Sequence, residues 1–215
     1  YNEFYGRAQV QHEIHSRLDQ PWCRVVTIVG QGGVGKSRLA VQLGRSRLNS
    51  YADGVWLVEL ADVDPADDDL SEAIATEIAI AIDLRLSGPT QPSEQLLDHL
   101  QHKQILLVLD NFEHLLDGVP IVLSILQGCE AVQLLVTTRE PLRLRAEWAI
   151  DLNGLDYPTD DADETPSEAL DLFLARRAQH IGTVGRVLHF PDLLLDLFQP
   201  VFGQLQSQLH RFFPV

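Results

Sequence analysis

Apolar residues in this chain fall into short continuous runs separated by stretches with helical spacing. Val25-Val26-Thr27-Ile28-Val29, Ile105-Leu106-Leu107-Val108-Leu109 and Val132-Gln133-Leu134-Leu135-Val136 scarcely alternate with polar residues. That pattern predicts strands covered on both faces, as in a parallel sheet. Gly54 to Leu60, led into by an Asp53-Gly54 turn, predicts another strand, and 147–155 a further one. Between them lie predicted helices: one ending before Pro21, one opening over 38–43, one over 70–82 and one over 94–102 with Ser93 as its cap. Two more follow, one over 121–127 ended by Gly128 and one over 167–179 capped by Ser167. Strands alternating with helices predict an α/β fold: a doubly wound, mostly parallel sheet with helices on both faces. We expect this domain over 1–157, then an acidic linker and a short helical C-terminal extension over 158–215.

Composition narrows the field. The 215 residues carry a net charge of −15, with 45% hydrophobic and 22% charged residues, which is ordinary for a globular chain. Acidic runs at 62–69 and 160–164 read as solvated loops. The negative balance argues against nucleic-acid binding by this segment. Cys23 and Cys129 make no disulfide framework and have no metal spacing, so they read as small buried thiols. No apolar run is long enough for a bilayer. A reducing, cytoplasmic setting is expected. The chain starts at Tyr1 and has no methionine, so a piece of a larger protein is expected.

The sharpest chemistry follows the first strand. Gly30-Gln31-Gly32-Gly33-Val34-Gly35-Lys36-Ser37 is G-x-x-x-x-G-K-[ST], a phosphate-binding P-loop in its expected strand–loop–helix setting. Its glycines let backbone N–H groups turn toward an anion, and the helix end adds partial positive charge. Lys36 would reach the β- and γ-phosphates and Ser37 would ligate Mg²⁺, while Arg38 opens the helix behind them.

Two further strand ends complete the candidate site. Asp110, delivered by Leu107-Val108-Leu109, has the form of a second acidic motif that holds Mg²⁺. The next position, where many P-loop ATPases place a second acid, is Asn111, which cannot take a proton at neutral pH. Glu113 and His114 are near enough in sequence to substitute as the base. Thr137-Thr138-Arg139 ends the following strand, and Arg139 is placed to sense a γ-phosphate.

FYGR at 4–7, GQGGVGKSRLA at 30–40, ILLVLDNFEHLL at 105–116 and LLVTTREPL at 134–142 together resemble the STAND class of signal-transduction ATPases. That class is related to the AP-ATPase or NB-ARC domains, and the likeness is nearest to ATPase domains of bacterial transcriptional regulators. It runs over roughly 4–178. The resemblance implies that ATP or ADP is held by Lys36, Ser37 and the loop, with Asp110 as the metal-binding acid and Arg139 as sensor. Gly6 and Arg7 match a motif lying near the adenine in relatives. It also implies a closed ADP-bound resting form that exchanges for ATP to assemble with itself or with other domains of a larger regulator. After Ile181 the chain lacks the Gly-Leu-Pro segment of relatives, and Pro191 and Pro200 have the wrong neighbours.

Three functions are therefore weighed. The leading expectation is an ATP/ADP-binding switch with slow, Mg²⁺-dependent hydrolysis, coupled to assembly of a signalling or transcription-regulating protein. The second is a fast-turnover ATPase or kinase, disfavoured by Asn111 and by the absence of an Arg-rich lid. The third is a non-hydrolysing interaction module derived from such an ATPase. No Asn-Lys-x-Asp segment for guanine recognition occurs.

Overall fold

Five strands pair side by side in the order β2-β3-β4-β1-β5 in the computed structural model, which describes residues 7–154. They are β1 (Val25–Val29), β2 (Val55–Glu59), β3 (Leu106–Asp110), β4 (Gln133–Thr138) and β5 (Glu147–Asp151). Every pairing is parallel, with Val25 opposite both Leu134 and Glu147, and Leu106 opposite Gln133. The fold is therefore the α/β P-loop architecture that the apolar runs predict. β1 and the last five residues of β4, from Leu134 to Thr138, are buried throughout, which is why these segments carry so little polar alternation. The predicted helix over 167–179, residues 4–6 of the FYGR segment, and the extension over 158–215 lie outside the described residues.

Helices α1 (Ala8–Leu18), α2 (Lys36–Ser46), α3 (Leu70–Ala81), α4 (Pro92–Leu100) and α5 (Val119–Gly128) flank the sheet. Side chains on a strand alternate between faces. Leu107 and Leu109 of β3, with Leu134 and Val136 of β4, join the core made with α3, α4 and α5. Val108 points the other way: a β-carbon on Gly44 of α2 would lie 3.4 Å from its Cγ2. Both faces are thus covered. No helix among the described residues is long and apolar enough to cross a membrane.

Three local predictions need correction. Ser93 does not cap α4. Pro92 occupies the first turn and Gln91 the cap position, while the Ser93 backbone N–H donates to Glu72 Oε2 at 2.8 Å and its hydroxyl donates to Glu72 Oε1. A carboxylate on α3 takes the serine that a cap would have used. Gly128 does not stop its helix either; it is the last residue of α5, followed by extended Cys129. The last strand ends at Asp151 rather than running to 155.

The acidic run from Asp62 to Asp69 is exposed apart from half-buried Val63, as expected of a solvated loop. Both cysteines are buried free thiols, and burial pushes each above its ordinary pKa. That keeps them protonated and chemically quiet.

Candidate functional site

All five strands end on one rim of the sheet, and the residues singled out in the sequence follow β1, β3 and β4 there. Order decides which of them meet. After β1 the chain crosses over β4 and β3 to reach β2, whereas after β4 it crosses β1 to reach β5. In open parallel sheets ligands bind beyond the carboxyl ends of the strands. The P-loop and Arg139 emerge side by side at that rim, after the neighbouring strands β1 and β4.

The loop is built for close approach. Gly33 and Gly35 have φ of 79° and 98°, and a β-carbon on either would meet nothing within 4 Å. Glycine is needed here for its backbone conformation and not for space. Gly30 is the reverse case: a β-carbon there would sit 2.6 Å from the Leu152 carbonyl oxygen. Its N–H donates to the Thr138 carbonyl at 3.2 Å, which ties the loop's entry to the end of β4. Helix α2 starts at Lys36 with no side-chain cap and no acid in its first turn. Its N-terminal N–H groups therefore face the loop's concavity with no competing carboxylate from the helix itself.

Lys36 is buried. Its ammonium donates to the carbonyls of Gly30 at 2.9 Å and Gln31 at 3.2 Å, so the charge is held inside the loop. Ser37 and Arg38 occupy the next two positions of α2, both half-buried. Arg7, in a left-handed conformation, donates from Nη1 to the Asn153 carbonyl at 2.5 Å and from Nη2 to the Val34 carbonyl at 3.3 Å. It joins the P-loop to the chain leaving β5. Gly6 lies outside the described residues.

Asp110 closes β3. The hydroxyl of Thr137 on β4 donates to its Oδ1 at 2.5 Å and accepts from the Asn111 backbone N–H at 3.0 Å. Thr137 is fully buried, so this hydroxyl fixes both the acid's rotamer and the departing backbone. Sequence reasoning gave Thr137 no role, because threonine is an ordinary strand residue. The available signal was its position two residues before Arg139 on the strand next to the acid. Asn111 takes a left-handed φ of 64°, which asparagine tolerates better than most residues.

Glu113 lies in a 3₁₀ turn over Phe112–His114. Arg139 Nε donates to its Oε1 at 3.2 Å, forming an ion pair whose side chains are 60% and 20% exposed for arginine and glutamate respectively. Oε2 of Glu113 is buried with no hydrogen-bond partner among the described residues. One oxygen of the Glu113 carboxylate, the candidate base, is thus engaged by Arg139. His114 Nε2 lies 3.1 Å from the Val63 carbonyl, directed at the acidic loop. Arg139 also reaches the P-loop, since a β-carbon on Gly32 would lie 3.5 Å from its Nη2. Ala61, Asn111, Glu113, His114, Arg139 and Glu140 line an open cleft of about 390 Å³ beside it.

The donor set fits a nucleotide with Mg²⁺. Ser37 and Asp110 offer the hard oxygen ligands this ion takes alongside phosphate oxygens and water. The loop offers an uncapped helix end, left-handed glycines and an inward ammonium for the phosphates.

Comparison with known proteins agrees with this geometry. Residues 7–142 match the family model of the NB-ARC domain. A Mycobacterium tuberculosis protein named "Putative HTH-type transcriptional regulator Rv0890c" is 36% identical over 134 residues, covering 59% of this chain and 14% of that protein. The uncharacterized protein Rv0894 of the same organism is 32% identical over 154 residues, covering 68% of this chain and 36% of its own length. The chain thus spans well under half the length of these relatives. Among solved structures, a STAND protein with a tetratricopeptide repeat sensor from Pyrococcus horikoshii superposes with a TM-score of 0.52 at 18% identity. That match covers 95% of this chain and 29% of the archaeal one, and shows a shared fold.

Proposed function

The chain belongs to the NB-ARC family, and from that premise we propose that it is an ATP/ADP-binding switch module with slow, Mg²⁺-dependent ATPase activity. In this reading it works in a reducing, cytoplasmic setting and couples nucleotide state to the assembly of a larger regulator. The observation that carries the reading is the meeting of three strand ends at one rim. Gly30 bonds to Thr138, Thr137 bonds to Asp110, and Arg139 lies against Gly32.

Each group has a part. Lys36 and the first-turn N–H groups of α2 bind the β- and γ-phosphates, replacing the carbonyl partners the ammonium has now. Ser37 and Asp110 hold Mg²⁺, which when bound offsets charge building up on the phosphates. Arg139 reads the γ-phosphate. Arg7 fixes the P-loop relative to the strand-β5 exit from its adenine-side position. Hydrolysis is slow because Asn111 stands where a second acid would activate water, and Glu113 is paired with Arg139.

Steady-state turnover of Mg²⁺-ATP tests this. We expect binding with turnover well below about one per second, beneath the usual enzymatic range. Turnover in the hundreds per second would overturn the switch reading in favour of a catalyst, and failure to bind either nucleotide would leave only an interaction module.

A further inference from the structure

Glu113 has an unusual position for a residue that the proposed hydrolysis does not use. One carboxylate oxygen holds Arg139, and the other is buried without a partner among the described residues. An unpaired buried oxygen of this kind carries a desolvation cost that a purely structural ion pair would avoid. The guanidinium it holds also abuts Gly32, inside the turn that would cradle the terminal phosphate. The Glu113 carboxylate and an incoming γ-phosphate would therefore draw on one guanidinium, the first through Nε and the second from the side of Nη2.

We propose that Glu113 is an internal competitor for Arg139 that sets the module's preference between nucleoside diphosphate and triphosphate. This rests on the switch reading above and deepens it. A diphosphate leaves the pair undisturbed. A triphosphate draws the guanidinium further onto its γ-phosphate and loosens the Nε bond to Glu113, so part of the added phosphate's binding energy is spent on the pair. The module thereby favours the diphosphate at rest, with Glu113 acting through Arg139 as a positioning residue.

Affinities of Mg²⁺-ATP and Mg²⁺-ADP are measured by titration for the 215-residue chain, Glu113→Gln, Glu113→Ala, Arg139→Ala and the double variant Glu113→Gln/Arg139→Ala. The pair is partly exposed, so the effect belongs at the low end of typical couplings between sites. Glu113→Gln and Glu113→Ala should each raise the ratio of ATP to ADP affinity about fivefold. Arg139→Ala should lower that ratio, and in its background Glu113→Gln should change nothing further. An equal gain with and without Arg139 would show simple charge repulsion and overturn the proposal. An unchanged ratio in both Glu113 variants would overturn it too, while leaving the switch reading intact. Wild-type chain that binds neither nucleotide would instead sink both.

Discussion

Thr137 shows how much depends on a single hydroxyl. It donates to Asp110 and accepts from the Asn111 N–H from a fully buried position. Thr137→Val keeps the shape and removes both bonds, leaving a backbone donor unpaired. We expect a loss of about 1–3 kcal/mol in urea unfolding. The freed Asp110 should also raise the Mg²⁺ concentration needed for ATP binding, and Thr137→Ser should restore both. A valine variant matching wild type in both measurements would remove Thr137 from the site. Residues of this kind explain the limits of sequence reading. Lys36, Ser37 and Asp110 are legible because a phosphate loop and an acid after an apolar strand are local patterns. The Thr137–Asp110 and Arg139–Glu113 contacts join residues far apart in sequence, and only the strand order brings them together.

At the scale of elements, the continuous apolar runs predict β1, β3 and β4 well, since a strand covered on both faces leaves a local signature. Helix ends were less legible because tertiary partners decide them. Glu72 claims Ser93, and the left-handed glycine that would end a helix is absent at Gly128. Two glycines give opposite predictions. A β-carbon at Gly30 would collide with the Leu152 carbonyl, where β1 and the exit of β5 draw close. Gly30→Ala should therefore cost about 1–3 kcal/mol. Gly128 is helical, and its β-carbon would make only ordinary contact with Leu97 at 3.8 Å. Gly128→Ala should therefore stabilise α5 by up to about 1 kcal/mol. Urea midpoints for the two variants check both signs.

Across the whole molecule, the rim opposite the site is held by a polar network that no sequence pattern announces. Arg47 pairs with Asp19 at 2.6 Å and donates to His15 Nδ1 at 3.2 Å, and His15 Nε2 lies 3.3 Å from Ser46 Oγ. Nearby, Gln133 at the start of β4 accepts from the Tyr51 hydroxyl and donates to the Leu18 and Cys23 carbonyls. Burial, with Arg47 next and His12 adding a little, holds His15 below its ordinary value of 6.5, while Asp19 opposes them. The unfolded chain then takes up the proton first as pH falls. His15's contribution to stability is therefore complete above pH 6.5 and lost as pH drops from there through the folded-state value. Urea midpoints measured on either side of pH 6.5 should fall more for wild type than for His15→Gln. Equal falls would dissociate His15 from acid sensitivity.

Every role proposed for this chain depends on a nucleotide held by the loop between β1 and α2. Isothermal titration of ADP and Mg²⁺-ATP into the chain and into Lys36→Ala tests that directly. We predict saturable one-to-one binding of both nucleotides by the wild type and loss of at least about tenfold in affinity in the variant, equivalent to some 1.4 kcal/mol. No heat with wild-type protein, or equal affinity in Lys36→Ala, would contradict it.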